Sequence, residues 1–193
     1  TPDVKWTKVC DRVDQVTSFA VNGDDIYLLT ARNAPRFQII RTSLARPNLD
    51  EAAIVVAPGT YVVNSLAAAR DALYVGILAG VPNRILRVPY VDGATPQPID
   101  LPADEPSGTC VAVRSDLPGA FVSTRSWTRA ERLYQFDPDS GKLTDTDLLP
   151  RGEFDSPDSI TSTEVLVASH DGVQVPLSII HRRDLRRDGS NPT

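Results

Sequence analysis

A short hydrophobic pattern occurs three times along the chain at a nearly constant spacing. Ile26 is followed by Leu73 after 47 residues, and Leu73 by Phe121 after 48. The first series of matching segments is Asp25–Leu29, Ala72–Gly76 and Ala120–Ser123. A second series runs in step with it, at Phe37–Arg41, Arg84–Val88 and Arg132–Phe136. A period of roughly 40–50 residues is typical of architectures that repeat one supersecondary unit.

Each repeat contains several short apolar runs bounded by Gly, Pro, Asn or Asp, which indicates strands rather than helices. Roughly four strands per repeat predict the blades of a β-propeller. A β-sandwich has similar strands and turns, but it rarely repeats at a fixed period. We therefore predict an all-β chain, a partial β-propeller with three blades near residues 15–57, 58–103 and 104–155.

The expected strands follow from the apolar runs and the turn residues between them. Asn22-Gly23 is expected to join the first pair of strands, and Asp137–Lys142, with Pro138 and Gly141, the last pair. The Ala-rich stretch Asn64–Asp71 resembles a helix, but its place in the repeat favours a strand. Lys5–Val9 is expected to be the outer strand of an earlier blade. The blade strands are expected near 16–21, 25–31, 37–43 and 53–57, then 62–68, 72–79, 84–90 and 96–101, then 109–114, 120–126, 131–137 and 142–149.

Three blades do not close a ring, so the two terminal blades should each have an open apolar face. A blade is apolar on both flat faces and packs against a neighbour on each side. Exposed apolar faces of this size favour association. Self-association through the open blade faces is therefore one expectation for this chain.

The C-terminal region differs from the repeats. Two alternating runs, Glu164–Ala168 and Val173–Ile180, flank Ser169-His170-Asp171-Gly172. Asp-Gly between alternating runs predicts a hairpin with a primed turn, because Gly accepts the positive φ that this turn requires. A basic stretch from His181 to Arg187 follows, and then the turn-rich segment 188–193, which we expect to lead into a further domain.

This region resembles the prolyl oligopeptidase family of serine peptidases at the point where its propeller joins its α/β-hydrolase domain. The matching features are the Asp171-Gly172 turn, Pro176 in the second strand, the basic segment and the Asp188-Gly189-Ser190-Asn191-Pro192 turn. Two earlier segments, Val4–Lys8 and Thr30–Phe37, also resemble the family and occur in its order.

The resemblance implies blades five to seven of a seven-bladed propeller, within residues 1–158, and the first hairpin of the catalytic domain, within 159–193. It also implies a peptidase that acts on short peptides, with this part forming the cap that restricts access to the active site. Cleavage after Pro and cleavage after Arg or Lys both occur in the family. The segment Arg182-Arg183-Asp184 also looks like the branch specific for basic residues, so both specificities stay open.

The sequence offers no catalytic residue of its own. The family's nucleophile lies in a G-x-S-x-G turn, and no such motif occurs here. The run Ser169-His170-Asp171 has the three residue types of a triad, but adjacent residues on a strand point to opposite faces, so we expect only turn formation. His181, the other histidine, is expected to be an ordinary strand-end residue. The chain alone should therefore be inactive.

Cofactor and metal sites are likewise not expected. The two cysteines, Cys10 and Cys110, lie far apart and make neither a zinc motif nor a disulfide framework. We expect two reduced thiols, with a single long-range bridge as the alternative. Asp137–Lys142 resembles a calcium loop but lacks the Gly and Glu that such a loop needs at its sixth and twelfth places, so we expect a hairpin turn.

Arg125, Trp127, Arg129 and Arg132 form a cluster between two strands of the third repeat. Two interpretations stay open. The cluster could be a surface that faces the catalytic domain or a peptide, since Arg and Trp are strong anchors. It could also be a solvated hairpin with one packed Trp, as most exposed charge clusters bind nothing specific.

Composition limits the possible partners. The net charge is −5 and no long basic block occurs, which argues against nucleic acid. No apolar run approaches the ~18 residues of a membrane helix, so we expect no membrane partner and a soluble protein, cytoplasmic or periplasmic. The expected partner is a peptide substrate, reached through the missing catalytic domain. The alternative function is a stand-alone partial propeller that binds proteins and is completed by oligomerisation.

Overall fold

The computed structural model describes residues 6–80, 83–186 and 188–191. These residues form three four-stranded antiparallel sheets and a two-stranded hairpin, and the strands of each sheet follow one another in chain order. The first blade contains β1 (Val16–Asn22), β2 (Asp25–Thr30), β3 (Gln38–Ser43) and β4 (Ala53–Val56). The second contains β5 (Val62–Ala68), β6 (Ala72–Leu78), β7 (Asn83–Pro89) and β8 (Gln97–Pro98). The third contains β9 (Ser107–Ala112), β10 (Ala120–Arg125), β11 (Arg132–Asp137) and β12 (Lys142–Asp145). The hairpin pairs β13 (Ile160–Ala168) with β14 (Gln174–Arg182).

The blades stack face to face, which confirms the predicted partial propeller. One hydrophobic cluster joins blade 1 to blade 2 and a second joins blade 2 to blade 3. β6 lies in the middle of this stack. Leu73 and Val75 pack toward blade 1, whereas Ala72 and Tyr74 pack toward blade 3. Because successive side chains alternate between faces, β6 is buried on both sides and reads as a continuous apolar run.

A polar contact also joins blades 2 and 3. The Asp71 carboxylate accepts hydrogen bonds from the Arg87 Nε–H at 2.9 Å and the Tyr74 hydroxyl at 3.1 Å. Its Oδ1 also accepts the backbone N–H of Gly119, in the next blade, at 2.8 Å. Burial first, and then the charge of Asp71, raises the pKa of the Tyr74 hydroxyl. Asp71 therefore satisfies three donors at a blade interface.

Gly119 also shows how closely blade 3 is packed. It has a φ of +83°, and a Cβ added there would lie 2.2 Å from the backbone oxygen of Phe136. An L side chain would therefore meet both an unfavourable backbone conformation and a clash with fixed backbone atoms.

The strand predictions are confirmed except at some ends. Asn64–Ala68 lies in β5, as the repeat indicated. β8 is two residues long instead of the predicted 96–101, because Pro96 and Pro98 have no N–H for the ladder. β12 ends at Asp145, before the predicted 149, where Thr146 bonds to the Leu133 carbonyl and Asp147 takes a φ of 52°.

The predicted strand at Lys5–Val9 is wrong for the part that the structure describes. Residues 6–9 are in no strand, and Lys5 lies outside the described residues. Among the described strands, none pairs with this segment, and a strand needs such a partner to satisfy its backbone groups. Val9 instead packs on the outer face of blade 1, against the cluster of Ile26, Leu28 and Ile40.

Two of the three turns predicted from their residue types are confirmed by the structure. The hairpins at Gly23 and at Pro138–Gly141 form as predicted, with φ of 58° at Gly23 and 69° at Gly141. The prediction of a primed turn at Asp171-Gly172 is wrong. The backbone N–H of Gly172 donates to the Ser169 carbonyl at 2.9 Å, and the backbone N–H of Ser169 donates to the Val173 carbonyl at 2.8 Å. Within this loop only Gly172 has a positive φ. The loop therefore holds three residues and ends in a Gly bulge.

Candidate functional site

A cleft of about 850 Å³ lies between the third blade and the terminal hairpin. One wall is the β10–β11 loop, a second is the loop from Ala103 to Ser107, and a third is the base of the hairpin. Leu78, Gly80 and Asn83, at the β6–β7 connection, complete the lining among the described residues. These loops meet at one edge of blades 2 and 3, so segments far apart in sequence form a single site.

The cluster of arginines and Trp127 divides between this cleft and the blade. Arg125, Trp127 and Arg129 line the cleft, whereas Arg132 is buried in β11, opposite Thr124. The expectation of one packed Trp is wrong, since Trp127 is 62% exposed. Its position at the tip of the β10–β11 loop, beyond the sheet, leaves the indole without a covering layer among the described residues.

The loop from Ala103 to Ser107 is held in place by a buried carboxylate. Glu105 is only 6% exposed and accepts hydrogen bonds from the hydroxyls of Thr124 and of Tyr134, the latter at 3.1 Å. Burial, with Glu105 as the second cause, raises the pKa of Tyr134 to about 12. Tyr134 therefore stays protonated as a donor at neutral pH, and the loop wall is anchored to β10 and β11.

Further contacts fix the other walls. The Arg129 guanidinium pairs with Asp104 at 3.2 Å, which ties the β10–β11 loop to the 103–107 loop. The backbone N–H of Ala130 donates to the Asp155 carbonyl at 2.9 Å. At the hairpin base, the Arg183 N–H donates to the Ser159 carbonyl at 2.8 Å and its Nε–H to that of Asp158 at 3.1 Å. The cleft is thus built from hydrogen-bonded segments.

Ser169, His170 and Asp171 do not form a triad, although the argument from strand alternation was wrong. All three lie beyond the end of β13, with His170 and Asp171 in the three-residue loop and Ser169 just before it, and Ser169 Oγ approaches His170 Nδ1 to 3.2 Å. The Asp171 carboxylate instead accepts the N–H of Val173 at 3.1 Å. No carboxylate orients the imidazole in this exposed turn, so its role is to close the hairpin.

His181 lies one residue before the end of β14, as expected for a strand-end residue. Its Nδ1–H donates to the Arg182 carbonyl at 2.7 Å, and Nε2 lies 3.1 Å from Thr163 Oγ1. In the neutral imidazole Nε2 is then the acceptor from the Thr163 hydroxyl. Both ring nitrogens are engaged, so His181 is not available as a base in this structure.

Both cysteines are free thiols and half-buried, which excludes the alternative of a bridge between them in this structure. Burial raises the pKa of the Cys110 thiol to about 11. In the described ranges, no group of three or more His, Cys, Asp or Glu is arranged to hold a metal. The described part also contains no helix with the length and apolar character needed to cross a bilayer.

Sequence reasoning found the cleft residues on the β10–β11 loop but missed those on the hairpin. Thr161, Ser162 and Glu164 line the cleft from β13, and Ser178 from β14. The sequence carries no signal for them, because an ordinary alternating strand looks the same whether or not it borders a cavity. Asp71 and Glu105 were missed for a similar reason, since isolated acids resemble solvated turn residues.

Comparison with known proteins identifies the family. Residues 1–147 match the family described as prolyl oligopeptidase, N-terminal beta-propeller domain. A prolyl endopeptidase of Elizabethkingia miricola is 25% identical over 194 residues, covering 95% of this chain and 26% of that protein. A prolyl endopeptidase of Elizabethkingia meningoseptica is 22% identical over 176 residues, covering 89% of this chain and 24% of that protein. The chain thus spans about a quarter of the length of these curated relatives.

Solved structures of low sequence identity share the fold. A structure from a study of two prolyl endopeptidases superposes with a TM-score of 0.74 at 23% identity, over 89% of this chain and 25% of that one. Oligopeptidase B from Leishmania major superposes with a TM-score of 0.77 at 14% identity, over 89% of this chain and 25% of that one. Prolyl oligopeptidase B from Galerina marginata superposes with a TM-score of 0.73 at 19% identity, over 96% of this chain and 27% of that one. With the three stacked blades and the match over residues 1–147, these findings establish that the chain belongs to the prolyl oligopeptidase family, as a part of its N-terminal β-propeller.

Proposed function

We propose that this chain is the propeller part of a serine peptidase that hydrolyses short peptides, and that the blades restrict access to its active site. The observation that carries the proposal is the family match over residues 1–147, followed from Ile160 by a hairpin of two nine-residue strands. A propeller that covers an active site admits extended peptides and excludes folded proteins by size. Exclusion of water would also strengthen electrostatic interactions at the reacting bond.

The hairpin supports the proposal that residues 159–193 begin a catalytic domain. Five apolar side chains lie together on one of its faces, and they are between 37% and 49% exposed. A two-stranded hairpin is marginally stable in water without further strands or a packed layer. A domain that packs on this face would remove the exposed apolar surface. The apolar part of this face consists of Val165, Val167, Val175, Leu177 and Ile179, and Thr161, Thr163 and His181 lie further along it.

Among the specificities, cleavage after Pro is favoured. The curated relatives at 25% and 22% identity are both named prolyl endopeptidases. The similarity to oligopeptidase B at 14% identity speaks for the fold alone. We therefore propose Pro-containing short peptides as the substrate class.

A peptide-length series tests this proposal. The natural-length protein is assayed on chromogenic peptides after Pro or after Arg, on Pro-containing peptides of increasing length, and on a folded protein of similar sequence content. We expect hydrolysis of the short Pro peptides, loss of activity as the substrate becomes longer or folded, and inhibition by a serine-directed reagent. The 193-residue chain should hydrolyse none of them. Equal cleavage of short and folded substrates would contradict the cap, and activity of the isolated chain that survives repurification would contradict the division of roles.

A further inference from the structure

The strand β13 has a free edge that runs along the cleft. In the described part of the chain β13 pairs with β14 only, so one row of its backbone N–H and C=O groups has no strand partner. The first residues of this strand, 160–164, all line the cleft. An unpaired edge of this kind can accept an extended peptide as an additional strand. The cleft therefore offers main-chain hydrogen bonds over a length suited to a short peptide.

The charges of the cleft indicate which peptide would fit. Arg129 is neutralised by Asp104 at 3.2 Å, whereas Arg125 and Arg183 have no carboxylate partner among the described residues. Glu164 is the other acidic side chain among the lining residues. The cleft thus carries a local excess of positive charge, although the chain as a whole has a net charge of −5. Such a reversal of sign favours a ligand that brings carboxylates.

The remaining lining groups suit a peptide as well. Trp127 presents an exposed apolar ring with one N–H donor. Hydroxyl groups occur on both sides of the cleft and can donate to or accept from a peptide backbone. They belong to Ser107, Ser126, Thr128, Thr161, Ser162 and Ser178, whereas the Thr163 hydroxyl already donates to His181 Nε2.

We propose that this cleft binds an extended acidic peptide, which adds as a strand to the free edge of β13 and places a carboxylate beside Arg125 and Arg183. Planar guanidinium groups suit carboxylates because they can donate two parallel hydrogen bonds. A second copy of the chain fits less well, since a symmetric pairing of β13 edges would bring each cleft's arginines toward those of its partner. The proposal does not depend on hydrolysis, so binding and peptidase activity can fail separately.

Fluorescence anisotropy of short labelled peptides tests the site. The peptides carry a neutral fluorophore and alternate Val with Glu, and a matched control alternates Val with Gln. A second control replaces the central Val by Pro, which removes one N–H and disfavours pairing with a strand edge. We expect the Glu peptide to bind the 193-residue chain, the other two peptides to bind roughly tenfold more weakly or not at all, and binding to weaken as salt is added.

Matched variants locate the site. Arg125→Gln and Arg183→Gln should each weaken binding of the Glu peptide by roughly tenfold, because each removes a charged hydrogen-bond donor. Arg46→Gln, at an exposed arginine of the blade 1 loop, should leave it unchanged. The same titrations on the natural-length protein give a second measurement if a chain variant folds poorly.

Three results would overturn the proposal. The first is no binding of the Glu peptide by either protein. The second is equal binding of the Glu and Gln peptides. The third is a dimer that persists when the open blade faces are made polar by Phe19→Ser and Phe121→Ser, and that the peptide does not dissociate, since a second copy would then occupy the edge. A loss of affinity in Arg46→Gln equal to that in the cleft variants would also contradict the assigned position.

Discussion

Asp71 is the residue whose contacts join blade 2 to blade 3 most directly. Its carboxylate is 13% exposed and serves Arg87, Tyr74 and the Gly119 N–H together. Removing it leaves three donors near an apolar interface, and one of them carries a charge. A partly buried charge left without its partner costs more than an exposed ion pair gains.

Asp71→Ala should therefore destabilise the chain by roughly 2 kcal/mol, less than a fully buried pair because water reaches the site. Urea denaturation followed by tryptophan fluorescence or circular dichroism measures the change. Asp92→Ala is the matched control, since Asp92 also pairs with an arginine, at 2.8 Å, but is 86% exposed. It should change stability little. Equal losses in the two variants would contradict the role of Asp71 at the interface.

Cys110 gives a prediction about pH. Burial raises the pKa of its thiol from 9.0 to about 11, so the folded state binds this proton more tightly than the unfolded state does. The resulting contribution to stability is complete below the unfolded pKa and is lost as pH rises from about 9 toward about 11. The thiolate is the reactive form, so alkylation should be slow in the folded chain.

Iodoacetamide alkylation of a Cys10→Ser variant, followed by mass spectrometry, tests this shift. In the folded chain the rate should still be rising about tenfold per unit near pH 10, whereas in concentrated urea it should level off above about pH 9. A plateau below pH 10 in the folded chain would mean that burial does not protect this thiol.

The hairpin β13–β14 should depend for its stability on a domain that packs on its apolar face. Val165→Thr, Val167→Thr and Leu177→Thr together make its apolar face polar while keeping residues that suit a strand. In the natural-length protein we expect a loss of about 1 kcal/mol per side chain in urea denaturation, because the proposed catalytic domain would cover the apolar face there. In the 193-residue chain the unfolding midpoint should not change. Leu166→Thr, on the opposite face and 65% exposed, is the control. Equal effects in both proteins would contradict the packing of a domain on this face.

The strands were predictable because their signals are local. The continuous apolar run of β6 and the turn residues at Gly23 and Gly141 depend on neighbours in sequence, and the structure places those elements within a residue or two of the prediction. Strand ends were less predictable where backbone chemistry decides, as at Pro98 in β8. Trp127 could not be placed, because the sequence does not show whether a loop tip packs or projects.

The candidate site was only half predictable for a related reason. Arg125 and Trp127 drew notice because charged and aromatic residues are close in sequence there. Glu164 and Ser178 did not, since they reach the cleft only through the position of the hairpin against blade 3. A cavity that four separate segments form has no signature in any one of them.

The two outer blades of the molecule have open apolar faces that should promote association of the isolated chain. Phe19, Val21 and Ile54 are exposed on blade 1, and Val111 and Phe121 on blade 3. In sedimentation velocity the apparent mass of the 193-residue chain should rise above 21.0 kDa with concentration. The double variant Phe19→Ser with Phe121→Ser should reduce this rise. Phe154→Ser, at an exposed position outside the blades, should not. A constant 21.0 kDa would argue against self-association through these faces.

The most direct test of the proposed cap is to find where the reactive serine lies. The natural-length protein and the 193-residue chain are each treated with a serine-reactive fluorophosphonate probe, and the labelled peptide is mapped by mass spectrometry. We predict labelling of the natural-length protein at a serine outside residues 1–193, and none of the isolated chain. Labelling of a serine within the chain, such as Ser169, or no labelling of either protein, would contradict the assignment of this chain as the propeller cap of a serine peptidase.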